Sequence, residues 1–195
     1  MSSMRRSLVL GACVVIPVAL VVSACGRSAR ARSVGGDDEV VARGEYLVTV
    51  LGCSDCHTPL KLGSNGPEPD LNRFLSGHPA DFVLTRAPDL GSDGWVWAGA
   101  GTNTAFAGPW GITYAPNLTP DPESGLGIWT EEMFVGAMRS GKMFGTGRTI
   151  LPPMPWPAYS HLTDQDLHAV FTFLTTIKPV VNHVPDWRPP DSNRG

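Results

Sequence analysis

The chain has 195 residues, of which 42% are hydrophobic and 17% charged, and this composition excludes an intrinsically disordered protein. A formal net charge of −3 without a basic stripe argues against nucleic acid or an anionic lipid surface as partner. The 22 glycines and 18 prolines exceed the share of an average domain. They predict a fold in which much of the chain is loop.

The N-terminus has the order of a secretory signal. Arg5 and Arg6 precede an apolar run over residues 8–22, and the small residues Ser23 and Ala24 follow it. The run is short for a helix that crosses a hydrocarbon layer of about 30 Å, and an uncleaved anchor is the alternative reading. The sequence therefore predicts export from the cytoplasm.

The stretch Val22-Ser23-Ala24-Cys25 resembles the lipobox of bacterial lipoproteins. The resemblance implies a lipoprotein-type signal peptide over residues 1–24 and a lipid on Cys25. Such a lipid would anchor the protein at the periplasmic or extracytoplasmic face of a membrane without crossing it. The alternative is an incidental cysteine at the end of a signal. Residues 25–37 lack apolar periodicity and are predicted to form a flexible tether.

A haem-attachment pattern follows the first predicted helix, which covers residues 38–52 because small and apolar residues recur there at helical spacing. Cys53-Ser54-Asp55-Cys56-His57 is the C-x-x-C-H pattern of c-type haem attachment. Its two thiols add to the two vinyl groups of haem, and its histidine reaches the iron from one side. The sequence predicts one covalently bound haem c, with Cys53, Cys56 and His57 as its attachment residues and His57 as an iron ligand.

Three other uses of the cysteine pair compete with haem attachment. A thioredoxin-like pair would follow a strand and open a helix, whereas this pair ends a helical pattern. A zinc site would need further Cys or His ligands at suitable spacing. A plain disulfide leaves His57 without a role. Cys13 lies within the predicted signal, so Cys53 and Cys56 are the thiols that remain if Cys25 carries lipid.

A methionine is the expected second axial ligand, because thioether ligation raises the reduction potential of electron-carrying cytochromes. Met154 lies in Leu151-Pro152-Pro153-Met154-Pro155-Trp156-Pro157, where prolines exclude a helix and restrict the backbone. This rigidity favours Met154 as the ligand, with Met143 as the second choice. Met133 and Met138 fall on a predicted helix and are expected to pack in the core.

Two further helices are predicted in the second half of the chain. One covers residues 130–140. The other opens at Thr163, where Asp166 three positions later imitates a capping box, and it stops before Pro179.

The segment over residues 58–114 is rich in Gly and Pro and predicts a long loop insertion. Short strands are expected near residues 94–98 and 104–107, which would form a β-hairpin. Four histidines outside the haem motif lack a supporting pattern and are expected to lie at the surface or to cap helices: His78, His161, His168 and His183.

Together these features resemble a class I cytochrome c. Pro116-Asn117-Leu118 is similar to a stretch of that class whose proline carbonyl accepts a hydrogen bond from the ligating histidine and whose leucine packs on the haem. The resemblance implies these roles for Pro116 and Leu118, and a close approach of the terminal helices at Gly44. It also implies a mainly α fold, with about three core helices around one haem over residues 38–180. Residues 181–195 would form a C-terminal tail.

A closer resemblance is to the monohaem domains in cytochrome c subunits of bacterial membrane-bound dehydrogenases. Those subunits typically contain several C-x-x-C-H units, whereas this chain has one. Trp129, Arg139 and Trp156 are candidates to line the haem pocket or to bond the haem propionates. The alternative is a core or rim position for the two tryptophans, and for Arg139 an interaction with the dipole at the C-terminus of its helix. Four motifs between residues 42 and 185 carry the resemblance: Gly44-Glu45-Tyr46-Leu47, Asn117-Leu118-Thr119-Pro120-Asp121, Gly125-Leu126-Gly127-Ile128-Trp129-Thr130 and Leu151-Pro152-Pro153-Met154-Pro155-Trp156.

The expected function is electron transfer without catalysis, between redox protein partners that the sequence does not identify. One alternative is the electron-outlet subunit of a separately encoded dehydrogenase. Another is a small haem peroxidase or gas-binding protein. That activity would need a distal acid–base pair near the iron, which the segment around Met154 does not offer.

Overall fold

A computed structural model describes residues 28–91 and 93–190, with side chains described from residue 36 onward. The predicted signal peptide and Cys25 lie outside the described residues. All the contacts reported below lie within the unit that begins at Gly36. The helices are α1 Ser28–Val50, α2 Cys53–His57, α3 Glu131–Ser140, α4 Trp156–Tyr159 and α5 Asp164–Thr176. The strands are β1 Leu60–Gly63, β2 Gly66–Pro69, β3 Ala98–Gly99, β4 Ala105–Gly108 and β5 Gly111–Tyr114.

α1 begins earlier than the sequence predicts. The structure has a helix from Ser28, where a tether was expected up to residue 37 and a helix only from Asp38. Alanine and arginine alternate over residues 29–32, and both are strong helix formers.

The predicted helices α3 and α5 are confirmed, and so is the start of α5 at Thr163; α3 begins with a similar cap at Thr130. The Thr130 hydroxyl accepts a hydrogen bond from the backbone N–H of Met133 at 3.3 Å, and the Thr163 hydroxyl accepts one from that of Asp166 at 3.1 Å. Each cap satisfies an N–H group that has no partner within its helix. Gly141 ends α3 in the left-handed conformation.

The main core lies between α1, α3 and α5. Met138 packs against it as expected, whereas Met133 is more than one-third exposed. The buried members of this core are Leu47, Val48, Leu75, Leu126, Phe134, Leu167, Ala169, Val170, Phe173 and Leu174. Their burial is consistent with the three core helices that the class I resemblance implies.

α1 and α5 are in close contact at Gly44. A Cβ atom at this position would lie 2.0 Å from the Ala169 carbonyl oxygen and 2.6 Å from Cβ of Phe173. Only hydrogen fits in that space, so the glycine sets the distance between the two helices.

Replacing Gly44 by alanine is expected to lower the free energy of unfolding by about 3 kcal/mol, because the helices must separate to admit the methyl group. Gly36→Ala is a matched control on the same helix, since no atom lies within 4 Å of a Cβ placed there. The control should leave stability unchanged or raise it by up to about 1 kcal/mol. Denaturant unfolding of both variants measures the difference, and equal stabilities would contradict the close contact.

The segment between α2 and α3 contains more strand than predicted. β1 and β2 form an antiparallel hairpin, and β3, β4 and β5 form an antiparallel sheet in that order. The expected strand at 104–107 corresponds to β4, whereas the expected strand at 94–98 is wrong except for Ala98. A second, smaller core covers one face of this sheet and contains Ala105, Ala107, Ile112 and Tyr114.

Residues 181–190 continue the contacts of the domain beyond the predicted boundary at residue 180. Ile112 of β5 and Arg188 form an antiparallel bridge, with N–H···O distances of 2.8 and 3.0 Å. The Arg188 guanidinium also donates to the Leu84 carbonyl at 2.6 Å. We call residues 180–188 the C-terminal strap.

Candidate haem site

The haem-attachment motif forms α2, a short helix of its own. Gly52 separates it from α1 and adopts φ +69°, a left-handed conformation that glycine takes at little cost. Among the described residues, no strand directly precedes α2, so the arrangement differs from a thioredoxin-like pair. Cys53 and Cys56 are free thiols, both partly buried, and are not joined in a disulfide. Burial raises the pKa of the Cys53 thiol to about 11.

His57 is buried, and its ring is oriented by one backbone group. Its Nδ1 atom lies 2.9 Å from the Pro116 carbonyl oxygen. Because a carbonyl oxygen only accepts, Nδ1 carries the proton and Nε2 of the neutral imidazole carries the lone pair. Burial lowers the pKa of His57, which favours this neutral form. The side chain is therefore held in the tautomer that a metal ligand requires.

Two chain segments, residues 75–78 and 115–118, run side by side behind His57. The His78 N–H donates to the Ala115 carbonyl at 2.9 Å, and the Leu118 N–H donates to the Leu75 carbonyl at 2.8 Å. The Gly77 N–H donates to the His57 carbonyl at 2.7 Å. Together these bonds fix the Pro116 carbonyl relative to His57. The positive φ of Gly77 and its place in this contact gave no recognisable pattern in the sequence.

His78 is fully buried, so the expectation of a surface or capping role is wrong. Its Nδ1 lies 2.9 Å from the Thr104 hydroxyl, and its Nε2 lies 2.9 Å from the Phe82 carbonyl. The ring also packs against Tyr114, with centroids 4.9 Å apart. A buried imidazole with both nitrogens hydrogen-bonded is stable in a core, and the sequence around His78 shows neither partner. His161, His168 and His183 are exposed as expected.

The proposed methionine ligand lies just before α4. The expectation that prolines exclude a helix is wrong for Trp156 and Pro157, because proline is tolerated in the first turn of a helix, where α4 places it. Met154 is partly buried, and so is the second choice, Met143. Tyr159 of α4 donates a hydrogen bond to the Leu51 carbonyl at 2.6 Å. Burial, together with the nearby Cys53 and Cys56 groups, raises the pKa of this tyrosine to about 12. The chain after Met154 is thus tied to the segment that leads into the haem cysteines.

Replacing Tyr159 by phenylalanine should lower the free energy of unfolding by about 1–2 kcal/mol, because the Leu51 carbonyl loses its side-chain partner. Tyr46→Phe removes the same hydroxyl from an exposed tyrosine on α1 and should change stability by less than about 0.5 kcal/mol. Urea unfolding of both variants tests this. A smaller effect at Tyr159 than at Tyr46 would contradict the assigned hydrogen bond.

The remaining predicted pocket residues have defined neighbours in the structure. Trp129 stacks on Phe144 with centroids 4.4 Å apart, and Leu118 packs at the margin of the main core. The Trp156 ring covers Gly141, where a Cβ would lie 2.2 Å from the indole. Pro116 itself is exposed. The contacts of these four residues with haem stay predictions.

Arg139 joins the end of α3 to the start of α5. Its guanidinium donates to the Ser160 carbonyl and forms an ion pair with Asp164 at 2.5 Å. Both contacts are structural, and the predicted bond to a haem propionate stays a prediction.

The chemistry of the donor set fits a covalently attached haem. Two unpaired thiols stand three positions apart on one short helix, and the next residue presents an imidazole whose free nitrogen carries a lone pair. No group of three or more His, Cys, Asp or Glu side chains that could hold a metal ion occurs among the described residues. The zinc alternative therefore finds no ligand set in that part of the chain.

A helical core around a C-x-x-C-H helix, with the histidine bonded to a proline carbonyl, defines a c-type cytochrome domain. The cytochrome c family profile matches residues 41–178, and the chain belongs to this family. Membership implies covalently bound haem c with its iron and a role in electron transfer.

The chain is similar to cytochrome subunits of dehydrogenases. It is 31% identical to the cytochrome c subunit of a quinone-type alcohol dehydrogenase from Gluconobacter oxydans, over 77% of this chain and 24% of that protein. It is 30% identical to the fructose dehydrogenase cytochrome subunit of Gluconobacter japonicus, over 72% of this chain and 22% of that protein. A dihaem cytochrome c-type protein of Cereibacter sphaeroides is 30% identical over 90% of this chain and 50% of that protein.

The chain thus spans about a quarter of the length of the two dehydrogenase subunits it matches. These similarities confirm the resemblance to dehydrogenase cytochrome subunits. No helix in the described part of the chain is long and apolar enough to cross a membrane.

Proposed function

We propose that this chain is an exported, membrane-tethered cytochrome that carries one haem and passes single electrons between redox partners. One observation carries the proposal: His57, directly after two free cysteines, is buried with Nδ1 held by the Pro116 carbonyl. Such a bond orients the imidazole and increases its basicity toward a metal. Burial lowers the pKa of His57 and favours the neutral ring, and the Pro116 bond engages the Nδ1 proton, so Nε2 is left to act as a ligand.

Each residue of the site has a separate proposed role. Cys53 and Cys56 would hold the haem covalently, His57 would ligate its iron, and Met154 is the proposed second ligand. The bound haem supplies one-electron iron chemistry. The protein residues set the potential and exclude water, and no substrate site or general base is required. The chain is accordingly proposed to be a carrier and not an enzyme.

An absorption spectrum of the protein, produced with haem-attachment machinery, tests this function. We expect haem that stays bound after denaturation, in a one-to-one ratio to the chain, and a low-spin spectrum in both oxidation states. A high-spin resting spectrum that changes with carbon monoxide or peroxide would favour the peroxidase or gas-binding alternative. Absence of covalent haem would overturn the proposal.

The second candidate function is the electron-outlet subunit of a separately encoded dehydrogenase. The similarity to the Gluconobacter alcohol and fructose dehydrogenase subunits favours it. Purification of the tagged chain from its own cells distinguishes the two roles. A stoichiometric dehydrogenase that reduces the haem when given substrate supports the subunit role, and a haem protein recovered alone supports a free carrier.

The membrane tether is proposed from Cys25, which lies outside the described residues. A lipid on Cys25 would hold the domain at the cell envelope. Fractionation of cells that express the Cys25→Ser variant tests this proposal. The wild-type chain should be found with the membranes and the variant in the periplasmic or extracellular fraction, whereas equal distribution would contradict the lipid anchor.

A further inference from the structure

We propose that the C-terminal strap positions His57 through Asn182 and thereby helps to set the reduction potential. This inference rests on the haem-ligand role proposed for His57. The strap lies more than 100 residues from the haem motif in sequence, and it bonds to the two segments that hold the His57 imidazole.

Asn182 uses both ends of its side-chain amide. Its Nδ2 donates to the Ser76 carbonyl at 2.7 Å and to the His78 carbonyl at 2.9 Å. Its Oδ1 accepts from the Ala80 N–H at 3.0 Å. The asparagine therefore holds the two carbonyl groups that flank Gly77, and it fixes the orientation of both peptide planes.

Gly77 connects the peptide groups held by Asn182 to the proposed ligand His57. Its N–H donates to the His57 carbonyl at 2.7 Å. A Cβ atom at Gly77 would lie 2.5 Å from the Ala115 carbonyl oxygen and 2.6 Å from that of Pro116, so this backbone is packed directly against the group that orients the imidazole. A shift of residues 76–78 would therefore displace the Pro116 carbonyl relative to Nδ1 of His57.

The strap is anchored on both sides of Asn182, which makes it a rigid support. On one side, the Asn117 amide donates to the Val180 carbonyl at 2.7 Å, and the Val180 N–H donates to the Thr119 hydroxyl at 3.0 Å. On the other side, Arg188 forms its bridge with Ile112. The strap thus connects residues 115–118, which include Pro116, to residues 75–78, which include Gly77.

The direction of the effect follows from the basicity of the imidazole. A strong Nδ1–H···O=C bond makes the histidine a better donor and stabilises ferric iron relative to ferrous iron. When the bond loosens, the ferric state loses part of this stabilisation and the reduction potential rises. Asn182 is accordingly a positioning residue, with no contact to haem assigned to it.

Asn182→Leu tests the proposal, because leucine is similar in size, carries no charge and cannot bond to the Ser76 or His78 carbonyls. Asn65→Leu is the matched control, since Asn65 lies exposed in the turn between β1 and β2. Covalent haem content, the reduction potential and the low-spin spectrum are measured for both. Partners outside the ligand shell change metal affinity or activity by about 10–100-fold. Because Asn182 is one layer further out, we expect the ratio of reduced to oxidised protein at a fixed applied potential to rise by about threefold.

The outcomes separate this inference from the proposed function. If the wild-type chain takes up no covalent haem, the proposed function fails. If haem content is normal and the potential of Asn182→Leu equals that of wild type and control, the strap has no positioning role even where the free energy of unfolding falls. Where Asn182→Leu gives too little holoprotein, Asn182→Ala admits water in place of the amide and should shift the potential in the same direction by a smaller amount. An unchanged potential in that variant overturns the inference equally.

Discussion

Replacing both Cys53 and Cys56 by alanine is expected to abolish covalent haem completely. The two thiols are free and are placed three positions apart on α2, and no other cysteine occurs among the described residues. Haem staining after denaturing electrophoresis measures the loss. Each single variant retains one thiol and should keep a reduced amount of haem. Because haem fills part of the interior of such a domain, the double variant should also unfold at much lower denaturant concentration.

Ser54→Ala is the control for this experiment. Ser54 lies between the two cysteines on the same helix, and the attachment chemistry uses no group of its side chain. Its haem content should equal that of the wild type. Covalent haem on the double variant would contradict the assigned attachment. If the wild-type chain carries no haem and contains a Cys53–Cys56 disulfide, the two cysteines serve as a disulfide pair and not as haem-attachment residues.

Local patterns in the sequence predicted α3, α5 and the later part of α1, and they named the candidate haem-attachment residues. Thr163 and Asp166 carry a capping signal within four residues, and α5 begins where that signal places it. The C-x-x-C-H motif is also local, so Cys53, Cys56 and His57 could be named from five consecutive letters. Such features are visible because the interacting groups are neighbours along the chain.

The hairpin of β1 and β2 was missed because its signals conflict. Asn65-Gly66 is a typical turn dipeptide, and it lies where the connection from β1 enters β2. Pro67 and Pro69, however, argue against a strand, since proline cannot donate to a ladder. The hairpin has only two strands, so each proline can direct its missing N–H away from the partner.

The support behind His57 could not be predicted, because its contacts join residues that are distant in sequence. Asn182 and Ser76 are 106 positions apart, and His57 and Pro116 are 59 apart. The second of these pairs was accessible only through resemblance to a family, and the first has no such precedent in the motifs of the chain. The burial of His78 has the same origin, because its partners Thr104 and Phe82 are set by the sheet and the loop before it.

Replacing Met154 by alanine is expected to remove the weak far-red sulfur-to-iron band and to lower the reduction potential by about 0.1 V or more, within the range of about 0.8 V that axial ligands span. The reason is that a thioether favours ferrous iron, and a water molecule or a nitrogen ligand in its place does not. Prolines on both sides restrict the backbone at Met154, so a neighbouring residue cannot readily move in to replace it.

Met143→Ala is the matched control for Met154→Ala, because Met143 is also partly buried and lies in the turn that follows α3. If Met154 is the ligand, this control keeps the band and the potential, and the two variants differ in spectrum although each loses one methionine. A band that persists in Met154→Ala and disappears in Met143→Ala would transfer the ligand role to Met143. If both variants keep the band, the sulfur ligand comes from Met133 or Met138. Ligation by Met138 would require α3 to turn away from the core against which that side chain packs.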